Sequence, residues 1–371
     1  MVHFQIKRRI HGGALRHAPS RPQRGPLIPV GNQGLAQSGV RTSRRVEQAF
    51  HGGRAHLVVR VLAATLGLVA LAGVTPASAA HSRTTGVASI APLPVPSALV
   101  PFAGAVSAGE GRWRPAGRRV HGVPAVYTTS LHLPGSRSVI ADIAWMDTRL
   151  LRAKLYSGTL SPGGANWRYT APVSSSAATT LVAAFNGGFL MKDSEGGYLS
   201  EGHLVAPLRA GAASLVIYSS GTATVGQWGR DVSMTPNVVA VRQNLRLLVD
   251  NGRLVAGLQP SDIKTWGVAL NNVVNTPRSG LGVTATGALV YVEGPMNIVD
   301  LAHLLVRAGA VRAMVLDMNP LWPIFATYSP PSPNGPATPA NGRVLSRTMV
   351  QTATRFFDPA YSRDFITMSA R

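Results

Sequence analysis

The chain has 371 residues, with 36 Lys and Arg against 15 Asp and Glu, which gives a formal net charge of +21. Its 45% hydrophobic and 14% charged residues exclude a wholly disordered, collagen-like or coiled-coil protein. The lack of Cys excludes disulfides, Cys-ligated zinc, iron–sulfur clusters and thiol nucleophiles, so cysteine usage does not indicate a cellular compartment.

The N-terminal segment, residues 1–57, is basic and is expected to be a disordered extension or a misassigned translation start. Residues 1–80 contain eleven Lys and Arg and one acid, Glu47, for a net charge of +10. Such a segment could bind nucleic acid or anionic lipid through counterion release. No aromatic residue lies between Phe4 and Phe50 to stack on bases. A nucleic-acid-associated protein is therefore only an alternative, and nucleic acid is not an expected partner.

Residues 58–80 have the pattern of a secretory signal peptide. Arg60 precedes an uncharged apolar run at 61–74, and Ala77-Ser78-Ala79 supplies small residues for cleavage. The run is shorter than the ~20 apolar residues that a membrane span needs. The sequence therefore predicts a secreted protein, or one associated with the cell wall or the outer face of the membrane, with membrane contact only through this segment. An uncleaved anchor or a buried helix is the alternative.

After the signal peptide, residues 81–120 are rich in Pro, Gly, Ser and Ala and are expected to form an extended linker. From residue 121 onward, apolar stretches alternate with Gly and Asn, which indicates one domain over 121–371. Asp250-Asn251-Gly252 indicates a tight hairpin turn, because Asn and Gly tolerate positive φ. The predicted strands are short apolar segments at 125–133, 138–145, 150–156, 181–185, 214–218, 245–249, 288–292 and 313–317.

Two helices are expected in this domain. Asn297 can cap a helix from Ile298 to Ala308, and Gly309 can end it. A second helix could cover residues 343–356. Many strands and few helices, without strict alternation, favour an α+β fold: a mixed, strand-rich twisted sheet or sheets with a few packed helices in a single domain.

Three polar residues stand beside an apolar strand or a glycine-rich turn: Asn186, Arg278 and Asp317. At a strand end such a side chain can reach a cleft while the backbone stays rigid. Each also has a structural interpretation, in which Asn186 with Gly187 and Gly188 forms a tight turn, Arg278 makes a surface ion pair and Asp317 caps a turn. The sequence has no Gly-x-Ser-x-Gly elbow, His-Glu-x-x-His zinc helix, phosphate-binding Lys loop or dinucleotide fingerprint, which excludes several enzyme classes.

Several segments, in their order along the chain, resemble the phosphodiester glycosidase family over roughly residues 120–371. They are Asn186-Gly187-Gly188-Phe189, Gly196-Gly197-Tyr198 through Glu201-Gly202, Leu248-Val249-Asp250-Asn251-Gly252, Arg278-Ser279-Gly280-Leu281-Gly282, Gly287-Ala288-Leu289, the leucine-rich helix and Leu316-Asp317. The resemblance implies an exported hydrolase that cleaves a sugar-1-phosphodiester linkage in a glycan or cell-wall glycopolymer. A non-catalytic carbohydrate- or cell-wall-binding protein on the same fold is the alternative.

The chain departs from the family pattern immediately after Asp317. Better-known members continue with a glycine run and a Ser, whereas this chain continues with Met318-Asn319-Pro320-Leu321-Trp322. Glycines would let the backbone approach a ligand closely, and Met, Pro and Trp cannot form the same loop. The departure indicates either altered specificity or lost catalysis.

The implied reaction makes limited demands on side chains. The phosphate ester leaves as a stable anion, so the need for a general acid is relaxed. A cation must hold the phosphate, and a carboxylate must stabilise the sugar cation or activate water. The resemblance assigns these roles to Arg278 and Asp317, with Glu201 as a further catalytic carboxylate, although Glu201 could equally be a solvated turn residue.

Substrate binding is expected from Asn186, from the backbone amides of Gly187 and Gly188, and from Asp250, which could also be a solvated turn residue. No cofactor and no metal ligand set is expected. Asp193-Ser194-Glu195 offers oxygen ligands for Ca²⁺ but falls short of the six to eight that this ion takes. Three tryptophans could stack on sugar rings or pack in the core: Trp228, Trp266 and Trp322.

Overall fold

The structure, a computed structural model, describes residues 91–102, 107–267 and 273–371. The predicted extension at 1–57 and the predicted signal peptide at 58–80 lie outside these residues. Within the described ranges, none of the helices is long and apolar enough to cross a membrane.

The described residues form eighteen strands, three α-helices and two short 3-10 helices. The strands are β1 Arg114–Val120, β2 Val123–His132, β3 Ile140–Met146, β4 Leu151–Tyr156, β5 Leu181–Asn186, β6 Tyr198–Ser200, β7 His203–Ala206, β8 Ala213–Tyr218, β9 Ala223–Gln227, β10 Val238–Gln243, β11 Leu247–Asp250, β12 Arg253–Leu254, β13 Thr276–Thr284, β14 Leu289–Met296, β15 Ala310–Val315, β16 Phe325–Tyr328, β17 Gly342–Val344 and β18 Phe365–Ala370. The helices are α1 Ser175–Ala178, α2 Ile263–Trp266 and α3 Ile298–Arg307, with 3-10 helices at Pro339–Asn341 and Ala353–Phe357.

The strands pair into three antiparallel sheets. The largest has eight strands in the order β1-β2-β3-β14-β13-β15-β11-β12. Two five-stranded sheets have the orders β7-β6-β10-β8-β9 and β17-β16-β5-β18-β4. The predicted α+β fold with strand-rich sheets and few helices is confirmed. The predicted hairpin is confirmed as well, because Asn251 and Gly252 have positive φ and join β11 to β12.

The core lies on both faces of the eight-stranded sheet. One face packs against the two smaller sheets, where the Tyr291 ring contacts Phe185 and Phe325 at centroid distances of 5.4 and 5.2 Å. The other face is covered by α3, whose Leu301 and Leu305 are fully buried. Alternating residues of the central strands therefore serve two different cores, which explains why these strands are apolar on both faces.

Asn297 fixes the start of α3 as the sequence predicts. Its Oδ1 accepts hydrogen bonds from the backbone N–H groups of Val299 and Asp300, both at 2.9 Å. We expect Asn297→Ala to lower the free energy of unfolding by about 1 kcal/mol, because two helix donors lose their acceptor. Asn297→Ser keeps an acceptor and should lose less. Urea denaturation of the full chain measures both, and equal losses would show that the cap is not the cause.

The predicted helix at 343–356 is wrong. Arg343 lies instead in β17 and pairs with Thr327 of β16, and the backbone N–H of Ser346 donates to the Glu293 carboxyl at 3.0 Å. Only Ala353–Phe357 is helical, as a 3-10 turn. The backbone of this segment is used for sheet pairing and side-chain contacts, which helix propensity cannot anticipate.

The predicted linker at 81–120 differs from the structure in its described part. Residues 114–120 form β1 and pair with β2 at the edge of the large sheet. Upstream, Leu93 is buried, and its backbone N–H donates to Asp147 Oδ2 at 2.7 Å. An edge strand buries few side chains, so its composition resembles that of a linker.

Candidate active site

Polar side chains from distant parts of the chain converge where several strands end. Asn186 is the last residue of β5 and lies opposite Phe365, the first residue of β18. Residues 363 and 364 therefore approach from the neighbouring strand. In the large sheet, Gly280 of β13 lies opposite Val315 of β15, which places Ser279 beside Asp317. Antiparallel pairing thus brings the ends of two sheets together at one location.

Asp317 forms a buried ion pair with Arg363. Asp317 Oδ2 lies 2.7 Å from Arg363 Nη2, and the two side chains are 4% and 6% exposed. Asp317 Oδ1 accepts a hydrogen bond from the Asn319 backbone at 2.8 Å. Burial raises the pKa of Asp317 to about 6, against the opposing effects of Arg363 and two backbone N–H groups. The carboxyl group is therefore ionised at neutral pH and becomes neutral in mild acid.

Arg363 keeps hydrogen-bonding capacity beyond this pair. Its Nη2 also donates to the Gly188 carbonyl at 3.0 Å, and its Cζ lies 4.6 Å from the centroid of the Trp322 ring. Its Nε is buried without a hydrogen-bond partner, as is the Tyr361 hydroxyl. Buried polar atoms without partners are costly, so this is a place where a ligand oxygen or a water molecule would be stabilised.

A second buried ion pair explains the two glycines that follow Asn186. Arg242 Nε lies 2.7 Å from Asp364 Oδ2, and the two side chains are 1% and 0% exposed. A Cβ atom on Gly187 would lie 2.1 Å from Asp364 Oδ2, and one on Gly188 would lie 2.9 Å from Arg242 Cζ. The backbone N–H of Gly187 donates to the Asp364 carbonyl at 2.9 Å. The glycines thus make room for a charged pair, and the Gly187 amide is already used within the protein.

Asn186 is buried and fully hydrogen-bonded. Its Nδ2 donates to the Gly187 carbonyl at 2.8 Å and to Ser279 Oγ at 3.0 Å. Its Oδ1 accepts from the Tyr291 hydroxyl at 2.7 Å and from the Ile324 backbone at 3.1 Å. Both donors and both lone pairs are therefore occupied. This geometry gives Asn186 a positioning role and leaves it no free group for a sugar.

Arg278 is next to Ser279 in the sequence, but its side chain points away from this cluster. Side chains alternate along a strand, so Arg278 and Ser279 face opposite sides of the sheet. The Arg278 guanidinium donates to the Met296 carbonyl at 2.9 Å, to the Val274 carbonyl at 3.3 Å and to Met318 Sδ at 3.4 Å. Burial lowers its pKa to about 10. Among the described residues it has no ion pair with Asp317.

Glu201 and Asp250 are not part of the cluster. Glu201 has φ +52° in the turn after β6, and its carboxylate accepts from the backbone N–H groups of Arg168 and Tyr169 at 2.9 Å each. Asp250 forms a two-point ion pair with Arg230 at 2.7 and 2.8 Å on the surface. Of the residues predicted from sequence, the structure therefore brings together Asn186, Gly187, Gly188 and Asp317, and the arginine beside Asp317 is Arg363 rather than Arg278.

Sequence reasoning missed four residues of this cluster: Arg242, Ser279, Arg363 and Asp364. Arg363 and Asp364 directly precede the apolar strand β18, so the strand-end rule used for Asp317 would have selected them. Arg242 carries no such signal, because it lies inside β10. No three His, Asp or Glu side chains in the described ranges are grouped so as to hold a metal ion.

The family model for phosphodiester glycosidases matches residues 179–317. This confirms the predicted resemblance, over a shorter range than the expected 120–371. No curated protein sequence matches the chain. The matched range contains Asn186, Ser279 and Asp317 and ends before Arg363 and Asp364.

Several solved structures resemble the fold. The catalytic domain of zebrafish N-acetylglucosamine-1-phosphodiester α-N-acetylglucosaminidase, auto-inhibited by its pro-peptide, is 15% identical, with 70% of this chain and 88% of that chain covered and a TM-score of 0.44. A hypothetical protein from Synechocystis is 11% identical, with 70% and 64% covered and a TM-score of 0.38. A putative exported protein from Burkholderia pseudomallei K96243 is 15% identical, with 62% and 74% covered and a TM-score of 0.33. Likeness at this level is too low to transfer function.

Proposed function

We propose that this chain, whose residues 179–317 match the phosphodiester glycosidase family, hydrolyses a sugar-1-phosphodiester linkage in a glycan or cell-wall glycopolymer. The observation that carries the proposal is the buried Asp317–Arg363 pair at the strand ends. It places a carboxylate 2.7 Å from a guanidinium that still has an unpaired donor. These are the two charges that cleavage of an anionic sugar ester needs.

We assign the phosphate to Arg363 rather than to Arg278. The Arg278 guanidinium uses all three nitrogens on protein acceptors, whereas Arg363 Nε has none. A guanidinium can hold phosphate oxygens in a planar, two-point arrangement. The Tyr361 hydroxyl, which also lacks a partner, is a further donor for a phosphate oxygen.

Asp317 is the proposed catalytic carboxylate. When a phosphate ester departs from the anomeric carbon, positive charge develops on the sugar, and a nearby carboxylate stabilises it or takes a proton from the attacking water. Arg363 favours the ionised form of Asp317 against the effect of burial. Arg363 thus serves both the leaving group and the carboxylate.

The proposed substrate lies outside the cytoplasm. The sequence at 58–80 has the pattern of a signal peptide, which supports secretion or association with the cell wall or the outer face of the membrane. Carbohydrate or sugar phosphate is the proposed partner, and nucleic acid is not.

A carbohydrate-binding protein without turnover is the second candidate. One observation favours it: the segment 318–322 covers the ion pair. The Asn319 backbone binds Asp317, the Trp322 ring lies over Arg363, and Met318 Sδ accepts from Arg278. The segment therefore contacts both members of the ion pair.

A turnover assay of the full chain on an aryl α-N-acetylglucosamine phosphodiester separates these functions. We expect turnover to rise as the pH increases through about 6, because the Asp317 carboxylate forms over that range. Sugar binding measured by calorimetry without turnover would support the binding protein instead. If the chain neither turns over nor binds any phosphodiester-linked sugar, both proposed functions are contradicted.

A further inference from the structure

A further carboxyl group, that of Glu293, lies beside the cluster and has no role in the proposed reaction. Glu293 is on β14, two residues after Tyr291, and is 1% exposed. Its Oε1 accepts a hydrogen bond from the Ser346 backbone at 3.0 Å, and its Oε2 lies 3.0 Å from the Tyr291 hydroxyl oxygen. No Lys, Arg or His forms an ion pair with it among the described residues. A buried carboxylate without a cation is strongly disfavoured.

The position of the protons around Glu293 follows from the Asn186 amide. One amide atom of Asn186 faces the Gly187 carbonyl, which only accepts, and the other faces the Ile324 backbone N–H, which only donates. These two backbone groups identify Nδ2 and Oδ1 without ambiguity. The Tyr291 hydroxyl oxygen lies 2.7 Å from Oδ1. Since Asn186 Oδ1 has no proton, the phenolic hydrogen of Tyr291 must lie between these two oxygens.

Tyr291 has no second proton for Glu293. Its oxygen is 3.0 Å from Glu293 Oε2, a contact between two oxygens that requires a hydrogen between them. That hydrogen must therefore come from Glu293. We propose that Glu293 is a neutral carboxylic acid whose proton, donated to Tyr291, positions Asn186, Ser279 and through them the Asp317–Arg363 pair.

Two arms connect Tyr291 to the ion pair. In one arm, Ser279 forms a side-chain hydrogen bond with Tyr291, and Ser279 Oγ accepts from the Asp317 backbone at 3.2 Å. In the other arm, Tyr291 holds Asn186, whose bond to the Gly187 carbonyl fixes the turn in which the Gly188 carbonyl accepts from Arg363. Glu293 touches neither substrate nor the reacting atoms, so it is a positioning residue rather than a catalytic one.

The charged and titratable surroundings of Glu293 support its neutral state. Burial, together with the Asp142 carboxyl opposite it on β3, raises the pKa of Glu293 to about 8. Hydrogen bonds from the backbones of Ser346 and Phe325 oppose this shift. Ionisation would remove the donor to Tyr291 and draw the phenolic hydrogen away from Asn186.

Infrared spectroscopy of the full chain at neutral pH tests the protonation directly. We expect a protonated-carboxyl C=O band that is lost in Glu293→Gln and retained in Asp142→Asn. The Gln side chain supplies a donor and an acceptor at the same positions, so this variant should fold normally. A missing band, or a band that survives Glu293→Gln, would overturn the proposal.

The pH dependence tests the positioning role. Because the folded-state pKa of about 8 exceeds the ordinary Glu value of 4.5, the stability contribution of Glu293 is full below about 4.5 and is lost as the pH rises through 8. Glu293→Gln should remove this loss of stability. A third readout rests on the proposed function. Turnover of the unchanged chain should fall as the pH rises through about 8, and this fall should be absent in Glu293→Gln. An unchanged stability profile overturns the inference even if turnover is found, whereas absence of turnover leaves the infrared and stability results decisive.

Discussion

Arg242→Met is expected to lower the free energy of unfolding by about 3–5 kcal/mol, because it leaves the Asp364 carboxylate buried without a cation. The Asp364 side chain is 0% exposed, and its Oδ1 already lacks a hydrogen-bond partner. Arg242 also donates to the Phe189 carbonyl, so β10, β18 and the glycine turn all lose a contact. Urea denaturation of the full chain measures the loss.

Arg230→Met is the matched control for this prediction. Arg230 makes a two-point ion pair with Asp250, but its side chain is 44% exposed. Water screens such a pair, so the loss should be at most about 1 kcal/mol. Arg242 is on one small sheet, and Asp364 directly precedes β18 of the other. Equal losses in the two variants would contradict the idea that their buried ion pair joins these sheets near the site.

Asp317→Asn is expected to reduce turnover of the phosphodiester substrate by roughly 10²–10⁴-fold, the range that a positioned acid or base contributes. The Asn side chain keeps the volume and an acceptor for the Asn319 backbone but loses the negative charge beside Arg363. Steady-state kinetics of the full chain above pH 6 measures the effect, since Asp317 is ionised there.

Asp193→Asn provides the control for this second variant. Asp193 lies on an exposed turn, 3.9 Å from Lys192, and has no contact with the cluster. Its turnover should match that of the unchanged chain. A full rate for Asp317→Asn, with the fold intact by circular dichroism, would remove Asp317 from the proposed reaction.

The strands that could be predicted from sequence are those whose burial follows a simple pattern. The predicted segment 125–133 corresponds to β2, and the predicted helix 298–308 corresponds to α3. Strand β13 was missed because Gly280 and Gly282 make it resemble a turn. The structure shows why they are there: a Cβ on Gly280 would lie 3.1 Å from Leu301 Cδ1, and one on Gly282 would lie 2.6 Å from the Ala310 Cβ. Close packing by a helix and a neighbouring strand is not visible in a local pattern.

The types of residue in the candidate site could be predicted from sequence, but not which residues contact each other. Asp317 was identified from its position after a strand, and the need for an arginine followed from phosphate chemistry. Which arginine lies beside Asp317 depends on strand alternation and sheet pairing, which turn Arg278 to the opposite face and bring Arg363 across from another sheet. The hydrogen bonds of Asn186 could not be predicted either, because their partners come from three distant segments of the chain.

The central place of β18 in its sheet has a consequence for how the protein is made. This strand lies between β5 and β4, which precede it by some two hundred residues and cannot pair with each other without it. Until β18 has been synthesised, the edges of β5 and β4 that face it have no partner, and unpaired strand edges favour aggregation. The charges at the strand ends meet only after residues 363 and 364 have been synthesised, so a chain cut off before residue 363 cannot carry the site.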